Sequence, residues 1–259
     1  AQNLLPENKK NAQRYEIYRS IQRAYFYNDN FDDAKKYLHK QLEVINASND
    51  VDTIDWLNAR YELLEIEIYN SNFYMWQDSV IALMELSKAK GFLQEHDNLW
   101  AMIRSQLMVN NDFSRLYELY VIEYPEELNI LRSLRPLAYE RIKAYLYEYE
   151  GQIDSADYQW QKVIDTLVST HDLYRIAHVK RRYAQYLERT NRFDKAYAVA
   201  LEAYEVSKKA NYPFFMAKDL FILAEMEEEV ENYKSALAFT KQYNSIQIEQ
   251  ILNSKNTDL

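Results

Sequence analysis

The chain has 259 residues, a formal net charge of −9, two glycines, four prolines and no cysteine. This length is ample for a hydrophobic core, but so few glycines disfavour the tight hairpins of β-sheet proteins. The negative charge opposes nucleic-acid binding, and the lack of cysteine excludes disulfides and thiolate chemistry. The sequence contains no run of 18 apolar residues, so we expect no membrane span in it.

Short polar segments recur along the chain, and each is followed by an apolar residue. Successive apolar residues lie 42, 40, 40, 40 and 40 positions apart; they are Phe31, Phe73, Phe113, Ile153, Phe193 and Tyr233. Apolar residues on both sides of each segment recur at helical spacing. Self-similarity of this length is typical of helical repeat proteins. The period therefore predicts about six helical hairpins.

Each unit has the pattern helix, polar turn, helix. Asn or Asp in the turn is expected to end the first helix and cap the second, and the following apolar residue is expected to pack inward. Three positions later a small residue would let the two helices approach closely; it is Ala34, Ala156, Ala196 and Ala236 in four units. Trp76 and Leu116 take its place in units two and three, which predicts wider helix pairs there.

The fifth unit resembles a tetratricopeptide repeat (TPR) most closely, with Tyr183, Ala184 and Leu187 before the turn and Asn191 to Ala196 after it. The resemblance covers nearly the whole chain and implies an all-α fold. The expected architecture is one right-handed α-α superhelix (solenoid) of about six TPR-like helical hairpins over residues 1–259. The family repeat has 34 residues. We therefore expect longer helices and a longer loop between units.

Prolines mark an irregular stretch between units three and four. Pro125 and Pro136 bracket residues 126–135, and the second helix of unit three is predicted to end at about Tyr124 because proline interrupts a helix. We expect a bend or a boundary between two half-solenoids at 125–136. Pro213 is predicted to begin the first helix of the last unit.

No catalytic, cofactor or metal motif is found. The chain lacks a Gly-x-Ser-x-Gly elbow and a glycine-rich phosphate loop, and none of its four histidines forms an i, i+4 pair. We therefore expect no catalytic residue, no cofactor and no metal. His171 and His178 are interpreted as solvated or capping residues, and Glu227, Glu228, Glu229 and Glu231 as a solvated face.

In a TPR array the first helices line a concave groove. The resemblance places nine side chains there: Tyr27, Tyr61, Tyr69, Arg141, Tyr145, Tyr149, Arg181, Gln185 and Arg189. Tyrosine and arginine are frequent at binding surfaces. The alternative is that the tyrosines pack between helices and the arginines pair with acids. The basic cluster around Arg181 suggests an acidic partner segment or a peptide C-terminus.

The chain also resembles, in its aromatic 40-residue units, the repeat region of sensor histidine kinases and transcription regulators of Bacteroidetes-type bacteria. The amphipathic segment from Tyr233 to Ile251 runs on without a stop signal. The resemblance implies a periplasmic sensory region of a larger two-component regulator, signalling through superhelix curvature or homodimer geometry. The alternative is a free-standing, cytoplasmic adaptor that holds a peptide or protein in its groove. An all-α enzyme would need a deep pocket with a carboxylate pair.

Overall fold

The computed structural model describes residues 7–28, 30–47, 53–70 and 73–256, and every regular element within these ranges is a helix. The predicted all-α class is confirmed. Contacts divide the chain into two compact units, Ala1–Asp112 (the N-terminal unit) and Phe113–Leu259 (the C-terminal unit). The boundary expected at 125–136 stays a prediction. Of the turn residues expected from sequence, Asp29, Ser71 and Asn72 lie outside the described ranges.

The described part of the N-terminal unit contains five α-helices, α1 Glu7–Tyr27, α2 Phe31–Ala47, α3 Ile54–Asn70, α4 Gln77–Ala89 and α5 Leu93–Val109, together with a short 3₁₀-helix, Phe73–Met75. Helices α1 and α2 pack closely, with Ala34 fully buried between them. Helices α3 and α4 approach each other less closely, as Trp76 predicted. The core of the unit joins α2 and α3 and contains Ala34, Leu38, Leu42, Ala59, Leu63 and Ile66.

The C-terminal unit contains, up to residue 256, a π-helix at Glu118–Glu123 and eight α-helices: α6 Phe113–Tyr117, α7 Glu126–Leu134, α8 Pro136–Tyr149, α9 Ile153–Thr170, α10 Leu173–Arg189, α11 Phe193–Lys209, α12 Pro213–Glu229 and α13 Tyr233–Asn256. The pairs α8–α9, α10–α11 and α12–α13 pack closely. Ala156, Ala196 and Ala236 are buried in these pairs, as predicted. Pro213 is the first residue of α12, also as predicted.

Seven of the described turns between helices share one backbone conformation. Seven described residues have φ between +52° and +76°, namely Gly91, Asn111, Gly151, His171, Asn191, Asn211 and Glu231. At the turn after α10, Asn191 N–H donates to Glu188 O and Arg192 N–H donates to Leu187 O. This is a Schellman motif, in which a left-handed residue ends the helix and its last carbonyls are satisfied.

The left-handed residues recur every 20 positions, except at 131. The longer loop expected between units is wrong between α9 and α10 and between α11 and α12, where the turns are as short as those within hairpins. The connection between the first two units, residues 48–53, lies mostly outside the described ranges. The extra residues lie in helices of 17 or 18 residues, such as α9 to α12. Of the predicted turns, the one at Asn30 has the expected side-chain cap, in which Asn30 accepts from Asp33 N–H over 3.3 Å, whereas Gln152 and Arg192, before α9 and α11, make no side-chain capping bond. Asp172, in a turn between hairpins, caps α10 by accepting from Arg175 N–H over 3.0 Å.

The prediction that the residue after each turn packs inward holds only in part. Phe73 is 2% exposed, but Ile153, Phe193 and Tyr233 are 48%, 45% and 63% exposed. Each of these three is the first residue of its helix. Side chains lean toward the N-terminus of their helix, so a first residue projects beyond the packed pair.

The irregular stretch follows from its prolines. A helix continuing through Pro125 would lose a hydrogen bond and bring the proline ring against the carbonyl of Val121. The chain instead widens to a π-helix over Glu118–Glu123, and Tyr124 N–H donates to Leu119 O over 2.8 Å. Helix α7 follows and covers position 131, so no turn lies there. The predicted end of the second helix of unit three at about Tyr124 is confirmed, because the π-helix that continues α6 ends at Glu123.

Candidate ligand-binding surfaces

The N-terminal unit contains a cavity of about 590 Å³, which we call the aromatic groove. Its walls come from α1, α2, α3 and α5 and are lined by Phe26, Phe31, Tyr61, Glu65, Ile68, Tyr69, Asn98, Ala101, Met102, Ser105 and Gln106. The Phe31 ring lies 4.8 Å from Tyr69 and 5.6 Å from Phe26, measured between ring centroids. Two predicted groove residues, Tyr61 and Tyr69, thus lie at one cavity.

A smaller cavity of about 280 Å³ adjoins the same helices and has Tyr27, Tyr61 and both Glu62 and Glu65 in its wall. Tyr27 is 80% exposed. Burial, together with Glu65 and Glu62, raises the pKa of Tyr61 to about 12. The three tyrosines predicted in this unit therefore line cavities bordered by its first helices, α1, α3 and α5.

The C-terminal unit has a cleft of about 640 Å³ between α8, α9 and α10, which we call the basic cleft. It is lined by Arg135, Pro136, Leu137, Ala138, Arg141, Val163, Leu167, Tyr174, Arg175, His178 and Val179. None of these lining residues is acidic. Of the predicted groove residues in this unit, Arg141 lies in the cleft.

His178 lies in the wall of this cleft, near several positively charged side chains. Its ring lies 6.2 Å from that of Phe215, and burial lowers its pKa to about 3. Nearby positive side chains contribute to the lowering; they are Arg141, Arg182, Arg181 and Lys218. The interpretation of His178 as a solvated or capping residue is wrong, because it is partly buried in the cleft wall. His171 does end α9, in a left-handed conformation.

Arg181 is not on an open surface. Its side chain is 8% exposed, its Nε donates to Asp219 Oδ1 over 2.6 Å, and its guanidinium lies 4.6 Å from the Phe215 ring centroid. The Asp219 partner is contributed by the next first helix, α12. The alternative interpretation, an arginine paired with an acid, describes Arg181.

The other predicted residues of the C-terminal unit are dispersed. Tyr145 is 2% exposed and packs on Phe113 and Trp160 at 5.0 Å from each ring. Arg189 Nε donates to Glu148 over 2.8 Å. Tyr149 is 47% exposed and its ring lies 5.1 Å from Tyr117, while Gln185 accepts from Arg182 over 3.3 Å. A binding role for these four stays a prediction.

The structure brings to the aromatic groove and the basic cleft several residues that the sequence did not predict as binding residues. Phe26, Phe31 and Glu65 join the aromatic groove, and Arg135 and Arg175 join the basic cleft. The spacing of Tyr61, Glu65 and Tyr69, four residues apart on one helix, was the available signal for Glu65. Glu227, expected in a solvated face, is buried and accepts from Tyr197 over 2.6 Å and from Asn232 over 2.7 Å.

No protein-family model and no curated protein matches the sequence. Among solved structures, a Signal Transduction ATPase with Numerous Domains (STAND) protein with a tetratricopeptide repeat sensor, from Pyrococcus horikoshii, matches 98% of this chain at 17% identity and a TM-score of 0.65. The fold is that of a TPR-like helical repeat protein. This chain spans 39% of the length of that archaeal protein.

Two further structures are similar over most of their length. A putative kinesin light chain with nearly identical TPR-like repeats, from Podosopora anserina, has 15% identity and a TM-score of 0.40 over 95% of this chain and 99% of its own. BtubC (BKLC) from P. vanneervenii has 11% identity and a TM-score of 0.42 over 93% and 90%. Within the described part of this TPR-like chain, no helix is long and apolar enough to cross a bilayer.

Proposed function

We propose that this TPR-like chain is a non-catalytic protein-interaction module whose basic cleft binds an acidic segment of a partner protein. The composition of the cleft carries the proposal. Three of its eleven lining residues are arginine and none is acidic, in a chain whose net charge is −9. Guanidinium groups bind carboxylates with two parallel hydrogen bonds, and a cleft of about 640 Å³ is large enough for several side chains.

We further propose that the module is the sensory region of a larger signalling regulator. The archaeal STAND protein carries its tetratricopeptide repeats as a sensor, and its likeness to this chain extends over nearly all of the present sequence. Reading the parent gene beyond Leu259 tests this role. An output domain such as a kinase or DNA-binding domain supports it, and a stop codon there leaves the free-standing adaptor.

Binding of an acidic segment is tested with a fluorescein-labelled peptide of eight glutamates and aspartates with a free C-terminus. We expect saturable binding that weakens with salt, and a loss of about fivefold in affinity for Arg175→Ala, since one charge-assisted hydrogen bond is worth roughly 1–2 kcal/mol. Arg132→Ala, an exposed arginine on α7 outside the cleft, is the matched control. Tighter binding of a single-stranded oligonucleotide at the same site would contradict the proposal.

A further inference from the structure

Helix α3 presents a carboxylate between two aromatic rings in the aromatic groove. Tyr61, Glu65 and Tyr69 are spaced four residues apart and so lie on one face of the helix. Phe26 from α1 and Phe31 from α2 complete the aromatic wall, with Phe31 in ring contact with both Phe26 and Tyr69. The groove thus combines four aromatic side chains with one acidic group.

Among the described residues, Glu65 lacks the positive partners that its neighbour Glu62 has. The neighbouring Glu62 lies 4.0 Å from Arg23, and Arg19 also stabilises its ionised form. Glu65 has no ion pair with any described residue; the charge that acts on it is that of Glu62. A carboxylate in an aromatic wall without a counter-ion is complementary to a cationic ligand.

The lining selects the kind of cation. A calcium or magnesium ion needs about six oxygen ligands, and one carboxylate among aromatic rings does not provide them. An alkylated ammonium ion is weakly hydrated and is attracted to aromatic faces. The volume of about 590 Å³ suits a small organic molecule. Asn98 and Ser105, on the α5 wall, offer hydrogen-bonding groups for a polar end of that molecule.

We propose that the aromatic groove binds a small organic ammonium ion, with Glu65 balancing its charge and the rings of Phe26, Phe31, Tyr61 and Tyr69 surrounding its alkyl groups. The site lies in the N-terminal unit and the basic cleft in the C-terminal unit. The proposal is therefore independent of acidic-segment binding, and each can fail without the other.

Isothermal titration calorimetry with choline and with its neutral isostere 3,3-dimethylbutan-1-ol tests the site in the intact chain. We expect saturable choline binding and at least about tenfold weaker binding of the isostere, because the isostere lacks the charge. Glu65→Gln preserves the shape of the side chain and should lower choline affinity about tenfold while leaving the isostere unaffected. Tyr69→Ala should also weaken choline binding; Tyr69 is 74% exposed, so this variant is expected to fold.

Glu43→Gln on α2, an exposed glutamate outside the groove, is the matched control and should bind choline as the unmodified chain does. Equal affinity for choline and its isostere, or no effect of Glu65→Gln, would overturn the proposal. Absence of saturable choline binding at millimolar concentration would do the same. Binding of a lysine-containing peptide while choline is inert would assign the groove to a protein partner and likewise overturn it.

Discussion

Arg181 and Asp219 form a buried ion pair that joins two successive first helices of the C-terminal unit, α10 and α12. Arg181 Nε donates to Asp219 Oδ1 over 2.6 Å, and the Ser207 hydroxyl from α11 donates to the other carboxylate oxygen, also over 2.6 Å. The three side chains are nearly inaccessible to solvent. Three helices are therefore held together by one carboxylate.

Removing this carboxylate should destabilise the unit strongly. We expect Asp219→Ala to lower the free energy of unfolding by about 3–5 kcal/mol, because it leaves a buried guanidinium without its counter-ion. Urea denaturation followed by circular dichroism measures the change. The double variant Arg181→Met, Asp219→Leu should lose less stability than Asp219→Ala, because it leaves no buried charge unpaired. Glu205→Ala, which breaks an exposed pair with Lys208, is the control and should change stability by less than about 1 kcal/mol.

His178 should make the protein sensitive to acid. The pKa of His178 is about 3 in the folded chain and about 6.5 when unfolded, so below pH 6.5 the unfolded state gains a proton that the folded state does not. The resulting loss of stability between pH 7.5 and pH 5 is about 2 kcal/mol. His178→Gln should lose correspondingly less over the same interval. Urea unfolding at pH 7.5 and pH 5 measures the free energy of unfolding of the unmodified chain and of His178→Gln. Equal losses in the two proteins would contradict the prediction.

Glycine should stabilise the last turn. Glu231 has φ +58°, a conformation that costs non-glycine residues roughly 1–2 kcal/mol, whereas glycine adopts it freely. Glu231→Gly is therefore expected to raise the melting temperature measured by calorimetry. The same substitution at Glu205, an exposed position inside α11, should lower stability by about 1 kcal/mol. Opposite signs for one chemical change would establish the backbone origin of the effect.

Choline binding should depend on pH through Glu65. Partial burial and the charge of Glu62 raise the pKa of Glu65, and the ionised form is the one that attracts a cation. Affinity should be highest above this pKa and fall as pH falls through it, starting at a higher pH than for an ordinary glutamate. Burial also raises the pKa of Glu62, although the neighbouring Arg23 and Arg19 oppose this shift. Titrations of Glu65→Gln at the same pH values should show a much smaller decrease.

Much of the fold could be predicted from sequence because the turns within hairpins repeat in composition as well as in position. The turns between hairpins were missed because they share only a backbone conformation. Gly91, His171 and Asn211 have the same left-handed φ but no common side-chain chemistry. The 20-residue spacing of the whole set of left-handed residues is therefore visible in dihedral angles and not in a comparison of residue types.

The candidate sites were predictable where a single helix carried the pattern. Tyr61 and Tyr69 share one face of α3, so their common cavity follows from local spacing. Glu65 was overlooked because carboxylates are common on exposed helix faces. The burial of Arg181 depends on Asp219, 38 residues further along the chain, and one-residue uncertainty in helix phase hides such a partner.

The irregular stretch around the two prolines preserves the 40-residue length of the repeat. Asn111 and Gly151 lie 40 positions apart, as Asn191 and Glu231 do, although the residues between the first pair form a π-helix and the three helices α6, α7 and α8 rather than two regular helices. The stretch therefore has the same length as a regular hairpin unit. Replacing it with a regular hairpin joined at the left-handed turns would change the local geometry while leaving the spacing of every later turn unchanged.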